Sequence, residues 1–323
     1  MQIKQKLDYP IWKTPYFCIV GLFVFVKLVK AGALNLLINK QFFNKKINLT
    51  LKFFNFIFYK ENKEEIGKKL LSCLIDLGPG YIKFGQALST RPDLVDKKTC
   101  QYLKKLQDDI EPFSSSIAKK IIETESQNLI DNIFSSFDEK PIANASVAQV
   151  HTAILKSGET VAVKLLKPNI KRKLFNDFIF FYWTSKCLEI AIPSIKRLKL
   201  SKNVEVLSEV SLNELDLTLE ASAAEELSEN FKDNPNYKVP KIYWELTSKN
   251  MLVLEYIKGI RIDDIDALKK ANHNIKKITE IGTEVFFLQV FRDGFFHGDM
   301  HPGNILINPK GVLVPIDFGI MGR

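Results

Sequence analysis

The sequence predicts an α+β fold in two lobes with a cleft between them. Three observations carry this. Ile66, Leu70, Leu74 and Leu77 recur at helical spacing until Gly78-Pro79-Gly80 stops the pattern. Residues 147–155 and 160–166 read as strands joined by Lys156-Ser157-Gly158-Glu159, a hairpin. A second hairpin closes the sequence, 305–307 and 312–316, with Pro309-Lys310-Gly311 in its turn. Helices first, then strands with an inserted helix, then helix and hairpin, is an α+β order.

Taken in chain order, helical pattern continues over about 93–108 and 115–135, so 61–135 reads as a helical layer. In the first hairpin, Val161, Val163 and Leu165 alternate with Ala162, Lys164 and Leu166. Residues 203–230 return to helix, Leu252 to Ile257 is a short apolar strand, and 274–293 is an amphipathic helix. Four segments follow: 1–60, 61–135, 136–260 and 261–323.

Charge divides the chain unevenly. Of 46 basic and 37 acidic residues, giving a net charge of +9, ten lysines and one acid lie within 1–60. The positive excess therefore sits wholly in that segment, which is also aromatic. Tyr16 to Val26 carries no charge, but eleven residues fall short of the roughly 20 that a spanning helix needs. Lysines interleaved with aromatics suit an interfacial segment on an anionic leaflet; a helix packed on the domain with its lysines in water is the alternative. No nucleic-acid motif accompanies the basic residues. Cys18, Cys73, Cys100 and Cys187 form no C-x-x-C pair and read as free, mostly buried thiols.

The chemistry concentrates near the C-terminus. His297-Gly298-Asp299-Met300-His301-Pro302-Gly303-Asn304 precedes the second hairpin, and Asp317-Phe318-Gly319 follows it. Phosphoryl transfer needs positioned carboxylates, metal ions on the phosphates and a lysine on the phosphate oxygens. Asp299 and Asn304 share one loop, and the hairpin returns Asp317 beside them. This order matches the catalytic loop and D-F-G of kinases. Asp299 is the candidate catalytic residue, and Asn304 and Asp317 are the candidate Mg²⁺ ligands, hard oxygen donors. A transition-metal site on His297, Asp299 and His301 is a rival reading.

Upstream, Val161-Ala162-Val163-Lys164 matches the V-A-I-K strand of kinases, and Glu220 is the candidate partner of Lys164. Where kinases carry a glycine-rich loop, this chain has Ile142-Ala143-Asn144-Ala145-Ser146-Val147-Ala148-Gln149-Val150. Small residues still let backbone amides approach phosphate, although alanine reaches positive φ less freely than glycine. These nine residues, with Lys164 and Glu220, form the candidate ATP-binding set.

Four features together resemble the UbiB (aarF) family of atypical kinases: Lys83-Phe84-Gly85-Gln86 (the KxGQ motif), the alanine-rich loop, Glu214-Leu215-Asp216 (the E-x-D motif) and the catalytic loop with D-F-G. The resemblance spans about 61–323. It implies a protein-kinase-like two-lobe fold with an N-terminal helical KxGQ extension and an incomplete C-terminal lobe. It implies ATP and Mg²⁺ as cofactors, with Lys83 and Gln86 lying over the active site and engaging Glu214 and Asp216 as regulatory residues. It further implies weak activity on other proteins, support of ubiquinone biosynthesis at a membrane, and ubiquinone-biosynthesis enzymes, prenyl-lipid intermediates and anionic lipid as partners. The expected location is the cytoplasmic face of a bacterial inner membrane. Leu219 and Ala223 depart from the family's Arg and Asn around Glu220-Ala221, and the sequence reads as a shortened member ending at Arg323. An aminoglycoside- or choline-type small-molecule kinase and a non-catalytic nucleotide-binding scaffold are the alternatives.

Overall fold

A computed structural model describes residues 7, 14–38, 45–59, 65–107, 112–298 and 300–323. In chain order the first helices are α1 (Thr14–Lys30), α2 (Ala33–Leu37), α3 (Lys45–Phe58), α4 (Ile66–Leu77), α5 (Pro79–Ser89) and α6 (Lys97–Lys104). Then come α7 (Ser115–Ser126), α8 (Ile130–Ile133), β1 (Phe134–Phe137), β2 (Ala143–Asn144), β3 (Ala148–Leu155) and β4 (Thr160–Leu166). Three helices follow, α9 (Ile170–Ala191), α10 (Leu200–Asn213) and α11 (Leu217–Asn230), before β5 (Met251–Glu255) and β6 (Ile260–Arg261). The last elements are α12 (Ile265–Lys270), α13 (Ile275–Phe287), β7 (Phe296–His297), β8 (Ile305–Ile307), β9 (Leu313–Pro315) and β10 (Met321–Gly322). The fold is α+β, as the order of periodic segments predicts.

The chain forms two compact units. The first comprises 1–111, 144–147 and 168–212; the second comprises 112–143, 148–167 and 213–323. Unit 1 is helical. Its core joins Phe17 and Val24 of α1, Leu70 and Leu74 of α4, Tyr81 and Ile82 of α5, Leu103 and Leu106, and Phe180 of α9. Gly85 lets α5 lie close against its neighbours, because a Cβ there would come within 2.4 Å of Leu106 Cδ1 and 2.7 Å of Leu74 Cδ1. The apolar run from Tyr16 falls inside α1. Among the described residues, no helix is long and apolar enough to cross a membrane. Cys100 is buried, but Cys18 and Cys187 are exposed, contrary to the expectation of mostly buried thiols; each lies on a helix that leaves it outward.

Unit 2 is built on an antiparallel sheet ordered β1-β3-β4-β5. Strand alternation decides its two faces. Val161, Val163 and Leu165 of β4 point into a core with Ala118 and Ile122 of α7, Ile133, Phe134, Tyr243, Met251 and Val253. Ala162, Lys164 and Leu166 take the opposite face. The register pairs Lys164 with Val150 on one side and Leu252 on the other, so this lysine sits on a central strand. A smaller sheet, β6-β8-β9, and the β7–β10 pair complete the unit.

Two helical readings change in detail. The pattern read as helix to 135 ends at Ile133, where β1 begins and pairs with β3. The helix read over 203–230 is two helices broken at Glu214-Leu215-Asp216. Asp216 causes the restart, because its carboxylate caps α11 by accepting from Thr218 N at 3.2 Å and Thr218 Oγ1 at 2.5 Å.

Candidate active site

Lys164 is the centre of the site in unit 2. Its Nζ donates to Glu220 Oε1 at 2.7 Å and to Asp317 Oδ2 at 3.1 Å. The lysine and glutamate side chains are only 13% and 6% exposed, while Asp317 is 40% exposed and so remains open on one side. Glu220 stands in the first turn of α11, where the helix dipole favours a carboxylate. Its Oε1 also accepts from Phe318 N at 3.3 Å, and Asp317 Oδ1 accepts from Gly319 N at 3.0 Å. A strand, a helix and the D-F-G turn thus meet at one ammonium.

The titrations follow from that geometry. Burial opposes the charge on Lys164, but the Asp317 and Glu220 carboxylates outweigh it and hold its pKa above the usual lysine range. Burial likewise works against the Asp317 carboxylate; Lys164 and the Gly319 amide overcome it and hold its pKa below normal. Glu220 is pushed up, first by burial and further by Asp317, against the pull of Lys164.

The catalytic loop and the D-F-G turn are tied together through the backbone. β7 pairs with β10, with His297 opposite Met321. His297 Nε2 bonds the Asp317 carbonyl at 2.6 Å, and since a carbonyl only accepts, Nε2 carries the hydrogen. Gly298 N donates to Ile320 O at 2.8 Å, and Ile316 N donates to Asn304 O at 2.9 Å. Asn304 is thereby held next to the residue before Asp317. Among the described residues, no partner engages its carboxamide. His301 Nδ1 accepts from Gly303 N at 3.2 Å. Each contact engages one ring nitrogen in shaping the loop, and among the described residues no group of three or more His, Cys, Asp or Glu side chains is placed to hold a metal ion. Asp299, the expected catalytic residue, lies outside the described residues.

Of the remaining expected residues, Ile142, Ala143 and Ala148 to Val150 lie in unit 2, where Ile142 N donates to Val150 O at 2.8 Å. Asn144, Ala145, Ser146 and Val147 belong to unit 1. Ser146 is buried, and Asn144 Oδ1 is buried without a hydrogen-bond partner. Gln149 is a structural residue: its amide accepts from Phe113 N at 3.0 Å and reaches His151 Nε2 at 2.7 Å. Lys83 is buried on α5 of unit 1, and Gln86 there donates to Leu106 O at 2.9 Å. In unit 2, Glu214 Cγ lies 4.0 Å from where a Cβ of Gly319 would stand, and Asp216 caps α11.

One supporting residue escaped the sequence reading. Gln289 is fully buried, accepts from His297 N at 2.9 Å and donates to Tyr237 Oη at 3.3 Å. Its signal was available: Ile278, Ile281, Val285 and Gln289 share one helical face, so a polar residue occupies an apolar position.

Comparison with known proteins agrees with this fold. The ABC1 atypical kinase-like domain matches residues 105–323. The chain belongs to that family. It is a UbiB-type member: it is 42% identical over 274 residues to the probable protein kinase UbiB of Aliivibrio fischeri, covering 82% of this chain and 50% of that one. The namesakes of Shewanella woodyi and Marinobacter nauticus are also 42% identical, each over 268 residues and 49% of their length. The chain thus spans about half the length of the curated relatives it matches. Among solved structures it is similar to Rv3197 of Mycobacterium tuberculosis, solved with erythromycin, at 26% identity and TM-score 0.51, covering 86% of this chain and 68% of that one. The kinase-like fold is therefore shared with a structural neighbour as well as with the family.

Proposed function

We propose that this ABC1 protein binds ATP with Mg²⁺ in unit 2 and acts as an atypical kinase or ATPase in support of ubiquinone biosynthesis at a membrane. The observation that carries the proposal is the Lys164 ammonium held between Glu220 and a half-open Asp317. The donor set fits the cofactor. Asp317 offers a carboxylate below its normal pKa, Asn304 offers a carboxamide oxygen 13 residues earlier, and both are hard oxygen ligands suited to Mg²⁺. When bound, Mg²⁺ neutralises phosphate charge and fixes its geometry. Lys164 then serves phosphate oxygens, Glu220 keeps that lysine extended, and His297 holds the D-F-G carbonyl. Asp299 is the proposed proton acceptor, on its loop position alone.

Membrane association is part of the same proposal. Ile19, Leu22 and Phe23 of α1 and Leu49, Phe53 and Phe56 of α3 are exposed apolar side chains, Phe56 at 86%. Lys27, Lys45, Lys46 and Lys52 share those two helices. Apolar insertion with adjacent lysines suits an anionic cytoplasmic leaflet. Ubiquinone-biosynthesis enzymes or prenyl-lipid intermediates are the partners that this proposal implies.

The test is nucleotide binding and hydrolysis by the purified chain with Mg²⁺, with and without anionic vesicles. Turnover abolished by Asp317→Asn and Lys164→Ala is the expected result. Binding without turnover supports the scaffold reading instead, and absence of binding refutes both.

A further inference from the structure

Unit 1 contains a feature that the nucleotide site does not use. Between α1, α5 and α9 lies a cavity of about 490 Å³. Small-molecule sites span roughly 300–1,000 Å³. Half of its eight lining residues are aromatic, Tyr16 and Phe17 from α1, Tyr81 from α5 and Phe180 from α9, and Asn176 adds a carboxamide. Tyr16 stands at the mouth, 63% exposed, while Phe17, Tyr81 and Phe180 are buried.

Set among these rings is one carboxylate, Asp177 of α9. Its Oδ2 accepts from Gly80 N at 3.0 Å. Among the described residues Asp177 makes no ion pair and its other oxygen takes no hydrogen bond. Lys173, one turn earlier on α9, is near enough to favour the charged form, yet burial prevails and raises the pKa to about 6. An unpaired, partly withdrawn carboxylate costs stability, and such costs are found at functional sites more than elsewhere. Gly80 supports the arrangement, because a Cβ there would fall 2.4 Å from Asp177 Cβ.

Aromatic rings around a lone carboxylate are the surroundings that recognise an alkylated cation: the rings supply cation–π attraction and apolar contact, and the carboxylate supplies charge. A phosphate or carboxylate ligand would meet a like charge. A purely apolar ligand would leave Asp177 desolvated and unpaired.

We propose that this cavity binds an organic ammonium ion, its nitrogen against Asp177 and its hydrocarbon portion against Tyr16, Phe17, Tyr81 and Phe180. The same chemistry comes from a dissolved alkyl- or arylamine or from a choline-type lipid headgroup. Every residue in the proposal lies in unit 1, and none of them belongs to the candidate ATP-binding or Mg²⁺-binding residues.

The test uses the full chain and two probes of equal shape, phenyltrimethylammonium and its neutral isostere tert-butylbenzene, titrated by calorimetry. Tenfold or greater preference for the cation is expected. Asp177→Asn, which keeps an acceptor for Gly80 N, should abolish that preference. Tyr16→Ala, at an exposed position, should weaken cation binding several-fold without moving the thermal midpoint. Displacement of the bound probe by phosphatidylcholine vesicles, and not by phosphatidylglycerol vesicles, identifies a lipid headgroup; persistence of the probe in both identifies a dissolved amine. Equal affinity for the two probes, or a cation preference that survives Asp177→Asn, overturns the proposal.

Discussion

Replacing Lys164 by methionine should cost far more than a surface lysine does, and the cost should depend on pH. The ammonium lies 2.7 Å from Glu220 and 3.1 Å from Asp317, with two of the three side chains almost out of water. At an effective dielectric of about 20, an attraction over such distances is roughly 5–6 kcal/mol gross per pair. Desolvation offsets much of it, and breaking a buried pair on one side costs about 3–5 kcal/mol net. Lys164→Met leaves two neighbouring carboxylates unopposed, so at neutral pH the loss should reach that range. Glu220→Gln leaves Lys164 with Asp317 and should cost only about 1.5–3 kcal/mol, the scale of one charged hydrogen bond. The double variant should lose less than the sum, because removing Glu220 relieves the repulsion that Lys164→Met creates. The sign of the pH effect is fixed. In the native chain Asp317 is depressed, so its contribution is full above the unfolded carboxylate pKa and fades as pH falls through the folded value. In Lys164→Met both carboxylates rise, so that variant should lose stability as pH climbs from 4 to 7. Urea unfolding of the four proteins across that range measures all of this. A Lys164→Met loss below about 1 kcal/mol, flat with pH, would refute the buried cluster.

Three further outcomes are expected. Asp177→Asn should stabilise the chain at pH 7: a carboxyl raised from 3.8 to about 6 costs up to about 3 kcal/mol when ionised, a cost that sets in as pH rises through that interval. Thermal unfolding of the two proteins at pH 4 and pH 7 checks it, with the difference confined to the higher pH. Gln289→Leu strips His297 N of its acceptor inside the core and should lose about 1–3 kcal/mol, read by urea unfolding, together with faster hydrogen exchange at His297 and Gly298. Gly80→Ala should destabilise by about 1–3 kcal/mol in a thermal melt, because the new methyl meets Asp177 Cβ at 2.4 Å rather than a flexible chain end.

Much of the site was legible because its chemistry demands particular residue types at fixed spacing. The pairing of Lys164 with Glu220 was readable from motif order, and the alternation of β4 assigned Lys164 to the face opposite Val161 and Val163. The scaffold was less legible where polar capping or dense aromatics override periodicity. Helix α9 went unread: Phe175, Phe178, Phe180, Phe181, Tyr182 and Trp183 put apolar rings around its circumference, which erases any single stripe. The break at Glu214-Leu215-Asp216 was hidden because an aspartate inside a helical run looks like any solvated acid until its cap is seen. Short strands such as β7 and β10 have too few residues to show a period. His151 gives no sequence sign of its role either. It is fully buried, bonds the Asp138 carbonyl through Nδ1 at 2.8 Å, and so presents an unprotonated Nε2 to the Gln149 amide. Burial lowers its pKa despite the carbonyl bond, which suits a neutral ring fixed by its neighbours.

The bonds that join the catalytic loop to the D-F-G turn run almost entirely through main-chain atoms: Gly298 to Ile320, Ile316 to Asn304, and the His297 ring to the Asp317 carbonyl. The Asp317 carboxylate adds to that frame by accepting from Lys164 and from Gly319 N, whereas the Asn304 carboxamide has no partner among the described residues. Shape and reactivity are therefore separable inheritances. A descendant could trade Asn304 and still present the same main-chain scaffold to a nucleotide or a partner, so a member of such a lineage could keep the outline of an enzyme whether or not it worked as one.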